Sequence, residues 1–206
     1  MAAGLSKWRT AEDARGREAR LIGPNAVLQV VPVLDRFGGA HWREGILTRA
    51  GLGALPDGKS MIPELMATRL HQQVRLDAPG MAPRLAAEAG VGTAEYILKH
   101  RIPRPAQLVL KALPRGLAAR ALSKAIAAHA WTFVGSGELR VVDAWTYEIS
   151  GNPLIRGEVS EGCLCHWHAA VFQELYQVLV ARNSSCVETC CGAQGDGVPC
   201  RFELKV

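Results

Sequence analysis

"SSCVETCCGAQGDGVPCRFELKV", residues 184–206, reads as two strands joined by a short glycine-rich loop. "SSCVETCC" and "VPCRFELKV" are the strand candidates, and "GAQGDG" is the turn between them. A hairpin folds the chain back on itself. Cys191 and Cys200, at the two ends of the loop, are therefore brought together, and Glu188 lies three residues before Cys191 on the same arm. Just upstream, "CHWHAAVFQELYQVLVAR" (165–182) repeats apolar residues at Ala169, Phe172, Leu175, Tyr176 and Leu179, the spacing of a helix. Upstream again, "ELRVVDAWTYEISGNPLI" (138–155) alternates β-branched and aromatic residues and ends in Gly-Asn-Pro, which predicts two more strands joined by a turn. The last third of the chain is thus α+β.

The preceding part is helical in pattern. "GPNAVLQVVPVLDRFGG" (23–39) has helical spacing, with Asn25 as the expected N-cap, a kink or break at Pro32 and a stop at Gly38-Gly39. "AHWREGILTRAGL" continues as a second helix, and 61–76 forms a third with Pro63 in its first turn. Two alanine- and leucine-rich stretches follow. Gly90 and Gly92 are expected to break the first, and Pro103, Pro105 and Pro114 punctuate the second. The resulting organisation is an N-terminal arm (1–22), a helical region (23–134) and an α+β region (135–206) packed with it.

Composition narrows the functional classes. The 206 residues are 49% hydrophobic and 21% charged, an ordinary globular balance with enough apolar material for a core. No run approaches the ~18–20 apolar residues that cross a bilayer, and the N-terminus lacks the apolar stretch of a secretory signal. A cytoplasmic location is expected. All six cysteines fall between 163 and 200, and clustering of this kind in a cytosolic chain points to metal or thiol chemistry rather than disulfides. The bland alternative is a thiol-rich edge of the core. The net charge is +5, and from Tyr96 to Gly137 there is no Asp or Glu, only Lys99, Arg101, Arg104, Lys111, Arg115, Arg120 and Lys124. Such a field favours an anionic partner, including peripheral contact with an anionic membrane surface, or else is a solvated helix face. It shows no nucleic-acid-binding motif.

Several motifs fail on context. "GALPDGKS" (53–60) matches a phosphate-loop pattern, but the stretch before it reads as a helix, and Pro56 removes an N–H that such a loop would use. There is no complete dinucleotide-binding glycine fingerprint and no C-x-x-C pair. The metal donors fare better. A closed structural zinc site takes four thiolate, imidazole or carboxylate donors. Glu188, Cys191 and Cys200 supply three, and Cys163, Cys165, His166 and His168 are the upstream donors on offer for the fourth.

"AEYILKHRIP", "AIAAHAWTFVGSG", "NPLIRG", "CLCHWHAAVFQELY" and "VETCCGAQGDGVPCRFEL" together resemble the bacteriochlorophyll-biosynthesis protein of the 4-vinyl reductase family, from about Gly23 to the C-terminus. The resemblance implies helices packed on a small antiparallel sheet. It also implies kinship with domains of aromatic-sensing transcription activators, a fold similar to subunits of vesicle-tethering complexes, and a homodimer. It implies a structural zinc on Cys165, Glu188, Cys191 and Cys200, with Cys163 and Cys190 as rival ligands because the hairpin is longer than in the sensor relatives. The ligand or substrate implied is a magnesium tetrapyrrole such as divinyl protochlorophyllide. The activity is then either vinyl reduction or carriage of that pigment to other enzymes of bacteriochlorophyll synthesis, with a ligand-sensing or scaffold role as a further alternative. A flat apolar pigment with anionic edges asks for an apolar slot and cationic groups at its rim. His129 or His100 as axial ligand, with Trp131, Phe133, Arg101 and Arg104 around them, are the expected pigment residues.

Overall fold

The computed structural model describes residues 20–206. The expected arm at 1–19 lies outside the described residues. The arm's last two residues, Leu21–Ile22, form strand β1, which pairs antiparallel with β2 (Ile62–Pro63). Ile22 is fully buried, and the Gly23 N–H donates to the Thr132 carbonyl at 2.7 Å, so this strand is part of the body.

The helical region contains α1 (Asn25–Leu28), α2 (Val30–Arg49), α3 (Glu64–Asp77), α4 (Ala82–His100), α5 (Arg104–Ala112), α6 (Arg115–Ala128) and α7 (Trp131–Val134). Asn25 is not the N-cap; Pro24 holds that position, and Asn25 is the first helical residue. The break attributed to Pro32 falls at Gln29, one turn earlier, because Pro32 has no N–H to offer the carbonyls of the preceding turn. Gly39, at φ 76° and ψ 174°, interrupts α2 where the glycine pair predicts a stop. The prolines at 103, 105 and 114 open α5 and α6 as expected.

Gly90 and Gly92 do not break α4, which runs without interruption to His100. At Gly90 the small residue serves a crossing instead. A Cβ there would lie 2.4 Å from the Trp167 carbonyl oxygen and 2.8 Å from the Ala170 Cβ. This allows α4 to pack directly against α8 (His166–Leu179). The other side of α8 covers a four-stranded antiparallel sheet in the order β3 (Glu138–Asp143), β4 (Thr146–Ser150), β6 (Cys200–Lys205), β5 (Ser185–Cys190).

Aromatic packing fixes that second contact. Tyr147 stacks on Phe172 with centroids 4.8 Å apart, Phe202 meets Phe172 edge-on at 5.3 Å, and the Tyr147 and Tyr176 hydroxyls are 2.7 Å apart. The register pairs Tyr147 with Phe202 and Phe202 with Glu188, which places Glu188 on the face covered by α8. The opposite face of the sheet carries exposed ion pairs, including Arg201 to Glu148 at 2.6 Å.

A polar stripe on α3 bolts down the loop after β4. Glu64 accepts from Arg156 Nη1 at 2.6 Å, Ser136 N at 2.8 Å and Ser136 Oγ at 2.9 Å. Thr68 donates to the Pro153 carbonyl at 2.8 Å and Gln72 to the Arg156 carbonyl at 2.9 Å. Arg75 bonds both Glu158 and the Leu154 carbonyl. Burial alone would raise the Glu64 carboxyl, but Arg156 and Ser136 together hold it below its ordinary value.

Gly90→Ala should destabilise the protein by about 1–3 kcal/mol, the range for overpacking against a contact that cannot move aside. Gly92→Ala should cost less, because its added Cβ would meet the flexible Gln29 side chain at 2.9 Å. Urea unfolding midpoints of the two variants test the difference.

Candidate metal centre

Cys165 is the residue from which α8 starts, and its backbone N–H donates to Glu188 Oε2 at 2.7 Å. Glu188 lies on β5 just before a register shift that falls between Glu188 and Cys190. Beyond the shift Cys191 is fully buried and Cys190 only half-buried. A single 3₁₀ turn follows at Gly192–Gln194, and its Gly192 N–H donates to Cys200 Sγ at 3.4 Å. The ligand atoms of Cys165, Glu188, Cys191 and Cys200 all lie within 4.8 Å of one another and all four residues are buried. Cys165 and Cys200 approach to 3.3 Å between sulfurs. Asn152 donates from Nδ2 to Cys165 Sγ at 3.2 Å, while its Oδ1 accepts from Leu154 N at 3.1 Å.

The donor set suits a thiophilic divalent cation. Glu188 Oε1 is buried and has no hydrogen-bond partner among the described residues. Burial, followed by the negative charge of Cys191, pushes the Glu188 carboxyl up to about 8. Hydrogen bonds from Cys165 and Cys200 pull the Cys191 thiol far down, so negative charge is concentrated on one sulfur that two neighbours stabilise. A divalent cation would take the place of the remaining protons and satisfy the orphaned oxygen.

Of the rival ligands, Cys163 donates its thiol to the Glu188 carbonyl at 3.3 Å and Cys190 is half-buried; neither belongs to the cluster. His168 is buried with Nε2 at 3.1 Å from the Phe133 carbonyl, and His166 is half-buried at the edge of a small cleft. Sequence reasoning does not reach Asn152 or the α3 stripe, although their signals are present. Asn152 opens "NPLIRG", and Glu64, Thr68, Gln72 and Arg75 share one helix face.

The expected pigment residues occupy two places. His100 stacks on Tyr96 at 4.7 Å, with Arg101 over the same ring at 5.9 Å and Arg104 at the start of α5, and all three are exposed. His129 is exposed, with Nδ1 at 2.9 Å from the Ala125 carbonyl at the end of α6. Trp131 is half-buried, and Phe133 packs edge-on against Phe172 at 5.8 Å.

Two clefts stand out, and none of these six residues lines either. One, of about 160 Å³, lies between α2, α3 and α4 and is lined by His71, Arg75, Leu85, Cys163, Leu164 and His166 among others. The other is an open groove of about 540 Å³ at the far end of α8 from the thiol cluster, where Lys111, Glu174 and Arg182 surround Val178, Val180 and Ala181.

Residues 145–206, which carry all four donors and three of the four strands around them, match the 4-vinyl reductase domain, so the chain carries that domain. Over 90% of its length it is 46% identical to the bacteriochlorophyll synthase 23 kDa chain of Cereibacter sphaeroides, covering 91% of that protein. It is 42% identical to the protein of the same name from Rhodobacter capsulatus over 89% of this chain and 86% of that one. The chain belongs to the family of bacteriochlorophyll synthase 23 kDa chains. In fold it is similar to an unliganded Fe(II) H-NOX protein variant from K. algicida, with a TM-score of 0.56, 11% identity and coverage of 90% of this chain and 97% of that one. The α+β fold class read from the sequence holds.

Two buried imidazoles predict how stability responds to acid. Burial, then the charge of Arg75, holds His71 down to about 3, and burial holds His168 down to about 4. Both are neutral in the folded protein, whereas the unfolded chain protonates them near ~6.5. Their contribution is therefore complete above that value and is lost as the pH falls through it toward the folded values. Urea unfolding midpoints should fall between pH 7 and pH 5, and a His71→Gln/His168→Gln variant should show a flatter slope over that interval.

Proposed function

We propose that the chain acts in bacteriochlorophyll biosynthesis as a subunit that binds a magnesium tetrapyrrole of the divinyl protochlorophyllide type and presents it to the enzymes of synthesis. We propose also that Cys165, Glu188, Cys191 and Cys200 hold a structural zinc. The pathway assignment rests on kinship with two named synthase chains over nearly the full length of each. The geometric observation that carries the binding reading is the groove beside α8. Its volume of about 540 Å³ falls within the range of small-molecule sites, roughly 300–1,000 Å³. Val178, Val180 and Ala181 give it an apolar wall, and Lys111 and Arg182 set cations beside that wall, where the anionic edge of a flat pigment would lie.

The zinc reading rests on four converging buried donors drawn from the start of α8 and the two arms of the last hairpin. Four protein donors leave no open coordination position, which is the arrangement of a structural site. When bound, the ion would supply cross-linking, holding the start of α8 to the hairpin. Asn152 would orient two of the sulfurs, and the Cys165 N–H would fix one oxygen of Glu188.

Titration of the full-length protein with divinyl protochlorophyllide, with and without reductants, tests the carrier reading. A stoichiometric absorbance shift without conversion is expected, and Arg182→Glu should weaken binding about tenfold, the equivalent of one lost ionic contact. Chromatographic recovery of monovinyl product in excess of protein would replace carriage with vinyl reduction. Failure to bind at micromolar concentration would leave a scaffold role.

Metal analysis of protein purified without added metal should find about one zinc per chain. Cys191→Ser and Cys200→Ser should lose it and lower the thermal midpoint by roughly 10 °C or more, since structural metal binding is coupled to folding. Fully folded, reduced protein with no metal would overturn the zinc reading.

A further inference from the structure

Helix α5 buries none of its residues. Its inner side is tied to the body by Gln107, whose Nε2 donates to the Leu98 carbonyl at 2.6 Å and the Ile102 carbonyl at 2.9 Å, and by half-buried Leu110. Its outer side carries Pro105, Leu108, Val109 and Ala112, all exposed. Spacing of i, i+3, i+4 and i+7 makes these one continuous stripe. Such a stripe normally faces a core, yet Leu108 is 68% exposed and Val109 60%. On the adjoining helix α6, Leu117 is 50% exposed.

Lys99, Arg101, Arg104, Lys111, Arg115, Arg120 and Lys124 surround the stripe in sequence, and all seven are exposed. None forms an ion pair among the described residues. The segment from Tyr96 to Gly137 contributes no carboxylate of its own, and Glu174 on α8 faces Lys111 only across the groove.

We infer that α5 and the start of α6 form a docking surface for an anionic lipid bilayer, with Leu108, Val109 and Leu117 entering the interface and the cations around them meeting headgroups. The chemistry is that of an interfacial amphipathic helix, which combines a shallow apolar face with basic residues and needs no spanning segment. No helix among the described residues is long and apolar enough to cross a membrane. A second copy fits this face poorly. A two-fold contact matches a patch to itself, which here would set uncompensated cations against cations. An acidic protein would answer the charge, but the patch is a convex helix with no groove to receive a partner's side chains, and a fluid surface accommodates that shape. The inference stands apart from the pigment reading.

The test is co-sedimentation of the full-length protein with vesicles of phosphatidylcholine alone and of phosphatidylcholine mixed with phosphatidylglycerol. Binding to the anionic vesicles only, falling as salt is raised, is expected. Leu108→Glu/Val109→Glu should reduce it at least tenfold while leaving the urea midpoint unchanged, since both side chains are already solvated. Arg104→Glu/Arg115→Glu should reduce it as well. Absence of binding, equal binding to neutral vesicles, or full binding by the leucine and valine variant would overturn the inference. So would a dimer in sedimentation equilibrium that Leu108→Glu/Val109→Glu converts to monomer, which would assign the stripe to a second copy. Retention on immobilised poly-glutamate without vesicle binding would assign it to an acidic protein.

Discussion

Helix α8 has no solvent side: none of its 14 residues is exposed. A helix buried on both faces must be met by two different surfaces at once, and its axial position is then set by whichever contact tolerates least movement. Here that contact is the approach of Gly90 to the Trp167 carbonyl, which leaves no room for a single methyl group. With that crossing fixed, Phe172 and Tyr176 fall over Tyr147 and Phe202, and Cys165 is delivered to the hairpin. The donor cluster and the large groove are the two ends of this one helix.

The loop after β4 links the helical region to the cluster. The stripe on α3 grips this loop through side chains that meet backbone carbonyls as well as charges, so the loop is held in position and shape. Asn152 sits at its start and reaches the sulfurs of Cys165 and Cys200. A disturbance at Glu64 therefore has a short route to the donor cluster through residues 152–156.

Local chemistry makes much of this legible in the sequence. Proline positions locate the starts of α5 and α6, and alternation in 138–155 and 184–206 locates all four strands of the sheet. Three of the four clustered donors follow from the hairpin alone, because a turn brings its own flanks together. The fourth does not, since Cys163 and Cys165 differ only in which residue meets the start of α8, and that depends on packing against α4. Gly90 shows a related limit: a glycine that breaks a helix and one that admits a neighbour look the same until the neighbour is known. The groove beside α8 escapes sequence reading because it joins residue 111 to residues 174–182, a juxtaposition no local pattern announces. Local rules find basic residues and exposed histidines but do not tell which of them share a cleft.

The order of the sheet has a kinetic side. β6 lies between β4 and β5, so β4 must wait for a partner more than fifty positions away, and α4 for one about eighty away. Pairings of that separation close late and slow the search for the folded state. The donor cluster sits on this late seam. An ion held there would find its ligands assembled only after the main barrier had been crossed. Its effect would then appear in how long the folded protein survives rather than in how quickly it forms.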